Sequence, residues 1–71
     1  SNKDLLGYIR SAMELLPNKQ KMVFSLRYLE EYKIKEIADI MQCTEGAVKS
    51  YLFAATHKMR AKLKKLVLEE L

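Results

Sequence analysis

The chain has 71 residues and a net charge of +4, with a sequence pI near 9.3; 49% of the residues are hydrophobic and 31% charged. Residues 1–71 therefore make a single domain, near the lower size limit for a self-sufficient core. No apolar run approaches the ~20 residues of a membrane span, and no signal-peptide pattern appears in these residues. Cys43, the one cysteine, leaves no internal disulfide and fits a reducing cytoplasm.

Helical spacing accounts for almost the whole sequence. Ser1-Asn2 matches a scar of tag removal, so the start of the parent protein is not visible. A first helix is predicted over 4–16, with Leu5, Ile9, Met13 and Leu16 on its inner face. Pro17 stops it, because a proline disfavours the helical conformation at the preceding residue and has no N–H. From Pro17 a second helix runs to about residue 31, with Val23, Leu26 and Leu29 or Glu30 at helical spacing and Met22 and Tyr28 beside them. A third covers 34–41. A fourth starts after Thr44 and continues to residue 69, roughly 40 Å at 1.5 Å per residue. Its last turns, with Leu66, Val67, Leu68 and Leu71, either pack on the first helix or project toward a partner. Val and Ile never alternate with polar residues over a useful length, so no strand is predicted. The expected fold is all-α, a four-helix domain with a core of Leu5, Ile9, Met13, Val23, Leu26, Ile37, Ala38, Val48 and Leu52.

Residues 33–52, KIKEIADIMQCTEGAVKSYL, are the most specific stretch. Ile34, Ile37, Ala38 and Met41 keep helical spacing. Val48, Leu52, Ala55, Met59, Leu63 and Leu66 then recur every three or four residues, on one face of the next helix. Between the runs, Thr44 has the hydroxyl of a good N-cap. Ala38 sits where two helices crossing closely need a small side chain, and Cys43, Val48 and Tyr51 where buried groups are wanted. This is a helix-turn-helix, whose second helix is shaped for a DNA major groove. The basic residues fit such a partner: Lys58, Arg60, Lys62, Lys64 and Lys65 cluster late, Lys19 and Lys21 open the second helix, and Lys33 and Lys35 flank the motif. A charge run is also what any solvated helix face carries.

With Val48, Leu52 and Ala55 turned inward, the outward face of the fourth helix carries Glu45, Gly46, Lys49, Ser50 and Phe53. Lys49 can donate to guanine or to phosphate, Ser50 can meet either kind of base edge, and Glu45 can accept from cytosine. Glu45 serves the helix dipole equally well. Gly46 lets a backbone approach closely or is merely tolerated near a helix start. Phe53 touches a thymine methyl or packs on its neighbours. Arg27 can pair internally with Glu31. Lys35, Thr44 and His57, which faces solvent or phosphate, complete the candidate DNA-binding set. There is no Gly-rich phosphate loop, no paired-carboxylate or Ser/His/Asp set, and no Cys/His cluster with metal-ligand spacing. No enzymatic activity, metal or cofactor is expected.

Three blocks share a further resemblance. LPNKQKMVFSLRYLE (16–30), KEIADIM (35–41) and TEGAVKSYL (44–52) together resemble region 4 of bacterial RNA polymerase sigma factors, above all the extracytoplasmic-function subgroup. The resemblance implies recognition of the −35 promoter element in duplex DNA, docking on the β-subunit flap of RNA polymerase core, and origin as a fragment of a longer sigma factor. It also implies a cytoplasmic monomer, with an anti-sigma factor as a further partner, and an Arg27 that supports a DNA backbone or an internal acid. Tyr51, Ala54 and Thr56 stand where the subgroup often has arginines, Gln42 where it has a turn glycine, and Lys33 where a Ser or Thr cap is common. Two other readings remain: a LuxR-type DNA-binding domain, which shares the Lys-Glu-Ile-Ala block, and a helix-turn-helix module that binds only protein partners. Promoter sequence, inducing signal and organism are not legible.

Overall fold

The computed structural model describes residues 5–70 and the side chains of 5–69. Asp4, where the first helix was expected to start, lies outside the described residues, as do Ser1-Asn2 and Leu71. The helices are α1 (Leu5–Met13), α2 (Asn18–Phe24), α3 (Ile34–Met41) and α4 (Glu45–Glu70), and no strand occurs among the described residues. The long dimension of the molecule, 41 Å, matches the 26-residue α4.

Pro17 acts on the chain before it is reached. α1 ends at Met13 rather than running to Leu16; Glu14 N–H still reaches Arg10 C=O at 3.2 Å, but the two amides after it reach back only three residues, Leu15 N–H to Ala12 C=O at 3.1 Å and Leu16 N–H to Met13 C=O at 3.0 Å. That tightening is how a helix end satisfies carbonyls that have no further turn to bond. Pro17 then caps α2, and its carbonyl accepts from Lys21 N–H at 2.9 Å.

The second helix is not α-helical throughout. Ser25–Leu29 form a π-helical segment, closed by Glu30 N–H to Ser25 C=O at 3.0 Å. The extra residue per turn slips the register. Leu29 and Glu30, expected on the inner face, are therefore both exposed, and Leu26 is half-buried rather than central. Phe24, which simple spacing left aside, turns in and meets Tyr28 with ring centroids 4.9 Å apart. The chain leaves the segment through Glu31, with φ 61°, and Tyr32 N–H reaches back to Leu26 C=O at 2.9 Å. Arg27 Nη1 donates to the Tyr32 carbonyl at 2.9 Å, so it pins this exit instead of pairing with Glu31.

Two clusters make the core. Ala12, Met13 and Leu16 pack on Ala55 and Met59, with Ile9, Phe24, Leu63 and Leu66 half-buried around them. Val23, Ile37 and Ala38 pack on Val48 and Leu52, edged by Leu26, Ile34, Met41, Cys43 and Tyr51. Leu5 was expected in the core and is 69% exposed. Burial falls from Ala12 through Ile9 to Leu5, because the close seam with α4 lies at the end of α1. Packing of the last turns of α4 reaches Leu66 and stops: Val67 and Leu68 are exposed.

Candidate nucleic-acid interface

The turn between α3 and α4 is fixed by hydrogen bonds that the sequence supplies locally. α3 begins at Lys33, whose N–H donates to Glu36 Oε1 at 2.8 Å. A lysine has no side-chain acceptor, so this is half of the usual reciprocal cap. α3 ends with Cys43 N–H on Ala38 C=O at 3.0 Å and Gln42 N–H on Asp39 C=O at 3.3 Å. Such a double-bonded exit requires a left-handed residue just past the helix, and Gln42 has φ 53° and ψ 50°. A side chain there is strained by about 1 kcal/mol relative to glycine. The exit also brings Cys43 and Ala38 into the same apolar cluster.

Thr44 then opens α4. Its Oγ1 accepts from Ala47 N–H at 3.0 Å and its C=O from Val48 N–H at 3.1 Å, the N-cap arrangement read from its position. Val48 and Leu52, anchored on α2 and α3, set the rotation of α4 about its axis. Gly46, Lys49, Ser50 and Phe53 are thereby exposed in its first turns. Phe53 is 79% exposed, so it does not pack on its neighbours. Glu45 is exposed in the first turn, where its charge also suits the helix dipole. A Cβ added to Gly46 would meet only Thr44 Oγ1, at 3.8 Å, an ordinary contact. The fold itself does not require glycine there.

The remaining candidates lie apart from these turns. Lys35 is exposed near the start of α3, on the neighbouring helix. His57 is exposed on α4 about 12 Å beyond Lys49 at 1.5 Å per residue. There it borders a shallow hollow of about 270 Å³ lined by Phe53, Thr56, His57 and Arg60. Arg60 was read only as part of the late basic cluster. Its spacing of eleven residues from Lys49 and seven from Phe53 was the signal that places it on the same face. Among the described residues, no group of three His, Cys, Asp or Glu side chains could hold a metal ion, and no helix is long and apolar enough to cross a membrane.

Comparison with known proteins supplies the family. The model of "Sigma-70, region 4" matches residues 6–64, from α1 well into α4. The chain is similar to RNA polymerase sigma factor FliA of Escherichia coli K12, 36% identical over 65 residues, which are 92% of this chain and 27% of that protein. It is also similar to the ECF RNA polymerase sigma-E factor of Salmonella typhimurium, 32% identical over 66 residues, 93% of this chain and 35% of that one. The chain thus spans about a quarter to a third of the length of these curated relatives. The 26-residue α4 runs unbroken from its capped start into the basic tail. A helix-turn-helix held by this turn, inside a match that covers most of the sequence, makes the chain a member of the sigma-70 region 4 family.

Proposed function

We propose that this domain recognises the −35 promoter element in duplex DNA as part of a bacterial sigma factor, directing RNA polymerase to start transcription. The observation that carries the reading is the pair of exposed first turns of α4, rotated into place by Val48 and Leu52 and presenting Gly46, Lys49, Ser50 and Phe53. The first turns of a recognition helix are those that reach base edges. The relatives are named as RNA polymerase sigma factors, which supports promoter DNA and RNA polymerase as the two partners. Their greater length supports residues 1–71 as one domain of a longer factor. In this reading the domain is a cytoplasmic monomer without catalytic chemistry, docks on the β-subunit flap, and is open to an anti-sigma factor.

Lys49 is the one cation on the base-facing side of these two turns. Lys49→Ala is expected to cost about 1–3 kcal/mol of DNA binding and to relax preference at one base position in a −35 library titration. A loss that is uniform across sequences, with a salt slope lower by about one, would assign Lys49 to phosphate instead. Binding of the isolated domain is expected to be weak, since Tyr51, Ala54 and Thr56 replace arginines, and to fall steeply with salt. Unchanged binding of Lys49→Ala to every promoter-like duplex, or affinity indifferent to salt, would favour a module that binds only proteins.

A further inference from the structure

We propose that α3 and its two flanking turns, residues 31–43, open as a unit while the rest of the domain stays folded, and that this opening switches the recognition surface off. The opening is a property of the free chain; only its consequence rests on the duplex-DNA reading above. Both ends of the unit are held left-handed by residues with side chains. Glu31 has φ 61° and Gln42 φ 53°, and among the described residues no other residue has a positive φ. A side chain in that region disfavours the closed form roughly fivefold relative to glycine. The two together amount to about 25-fold, and both are relieved when the segment between them lets go. At the entry the backbone is held by Tyr32 N–H on Leu26 C=O and by Arg27 Nη1 on the Tyr32 carbonyl, and at the exit by Cys43 N–H on Ala38 C=O.

The packing lets α3 leave alone. It has eight residues, of which Ile37 and Ala38 are buried. A helix that short is not stable by itself in water, so α3 melts once it is undocked. Neither Ile37 nor Ala38 belongs to the cluster of Ala12, Met13, Leu16, Ala55 and Met59, which joins α1 to α4 and is edged by Phe24 of α2. That cluster is untouched when α3 departs, and it keeps α1, α2 and α4 together. Segments with few buried contacts of their own are the ones that open below the cost of global unfolding. The other cluster loses Ile37 and Ala38 from against Val23, Val48 and Leu52. The start of α4 then lacks the packing that sets its rotation, and Lys35 leaves with α3. The open molecule is folded but no longer presents Gly46, Lys49, Ser50 and Phe53 on a fixed face beside α3.

The test is amide hydrogen exchange by NMR on the whole chain, without DNA, over a series of low urea concentrations. The amides of Ile37 and Cys43, bonded to Lys33 C=O at 2.9 Å and Ala38 C=O at 3.0 Å, report on α3. Those of Ala55 and Met59 in α4 report on global unfolding. Ile37 and Cys43 should be at least about tenfold less protected than Met59, with a shallow urea dependence, because little surface is exposed in their opening. Exchange at Met59 should rise steeply with urea. Glu31→Gly and Gln42→Gly should each raise protection at Ile37 about fivefold, and the double variant about 25-fold. Equal protection and one common urea dependence at all four amides overturn the opening, as does protection at Ile37 that neither glycine changes. A duplex selected from a −35 library is then added at about a hundred times its Kd, which should slow exchange at Ile37 and Cys43 about a hundredfold if DNA binds only the closed form. Exchange there that a bound duplex leaves unchanged overturns the switch and keeps the promoter reading. Failure of every such duplex to bind at low salt overturns the promoter reading and the switch with it, and the opening is still decided by the free chain.

Discussion

Near its start, α4 buries Val48 and Leu52 against Val23, Ile37 and Ala38; around its middle it buries Ala55 and Met59 against Ala12, Met13 and Leu16. Both stretches use the same three-and-four spacing, yet they join different things. The first locks α2, α3 and α4 together and fixes which side chains face outward at the start of α4. It is backed by a hydrogen-bonded turn, with Gln42 left-handed and Thr44 capping. The second is chiefly a seam with α1, edged by Phe24 of α2, and it thins toward Leu66 at the end of α4. Packing at the first site sets the geometry of a surface, whereas packing at the second mainly supplies stability.

The largest expected effect tests that distinction directly. Leu52→Ala is expected to cost about 2–5 kcal/mol in a denaturant titration, a large share of a small domain's stability. Met59→Ala removes a similarly buried side chain from the other cluster and should cost a comparable amount. DNA affinity per folded molecule should fall for Leu52→Ala and hold for Met59→Ala. Equal losses per folded molecule would erase the contrast, and a Leu52→Ala melting point within about a degree of the parent would refute the assignment of the buried face.

A smaller effect is expected at the turn. Gln42→Gly relieves a left-handed residue and should stabilise the domain by about 1 kcal/mol, read from the denaturant midpoint. A loss instead would mean that the Gln42 side chain contributes more than its backbone costs. Smallest of all is Gly46→Ala, expected to add at most about 0.5 kcal/mol of stability, since a glycine in the first turn is less costly than one in a helix interior and its Cβ would make only an ordinary 3.8 Å contact with Thr44 Oγ1. The same change should weaken duplex binding, because the added methyl stands on the exposed face of the first turn. Greater stability with unchanged affinity would leave Gly46 as a tolerated residue with no part in recognition.

Legibility followed the range of the interactions involved. The bounds 34–41 for α3 were readable, because a run of apolar spacing ends in a turn with its own cap. Thr44 was recognised as that cap from its hydroxyl and its place before the next run. The burial of Ala55 and Met59 and the partial burial of Leu63 and Leu66 followed from periodicity alone. All eight candidate interface residues are exposed, as an outward face requires. Leu5 failed because spacing names a face without saying whether anything lies opposite it. The π segment at Ser25–Leu29 was not visible, since no residue type there announces an extra residue in a turn. Arg27 followed from that miss, its guanidinium meeting the Tyr32 carbonyl that the wider exit brings near.

What the sequence determined by itself is local: four helical stretches, a proline stop, a threonine cap, and the apolar stripe of α4. Each depends on neighbours within about four residues along the chain, where backbone geometry is nearly fixed. The tertiary structure decided what depends on distance between elements. It selected which end of α1 lies on α4, turned Phe24 inward and Leu29 outward through the π segment, and left Phe53 bare. Those outcomes rest on how closely two helices approach and where they part, and the spacing within one helix carries no record of either.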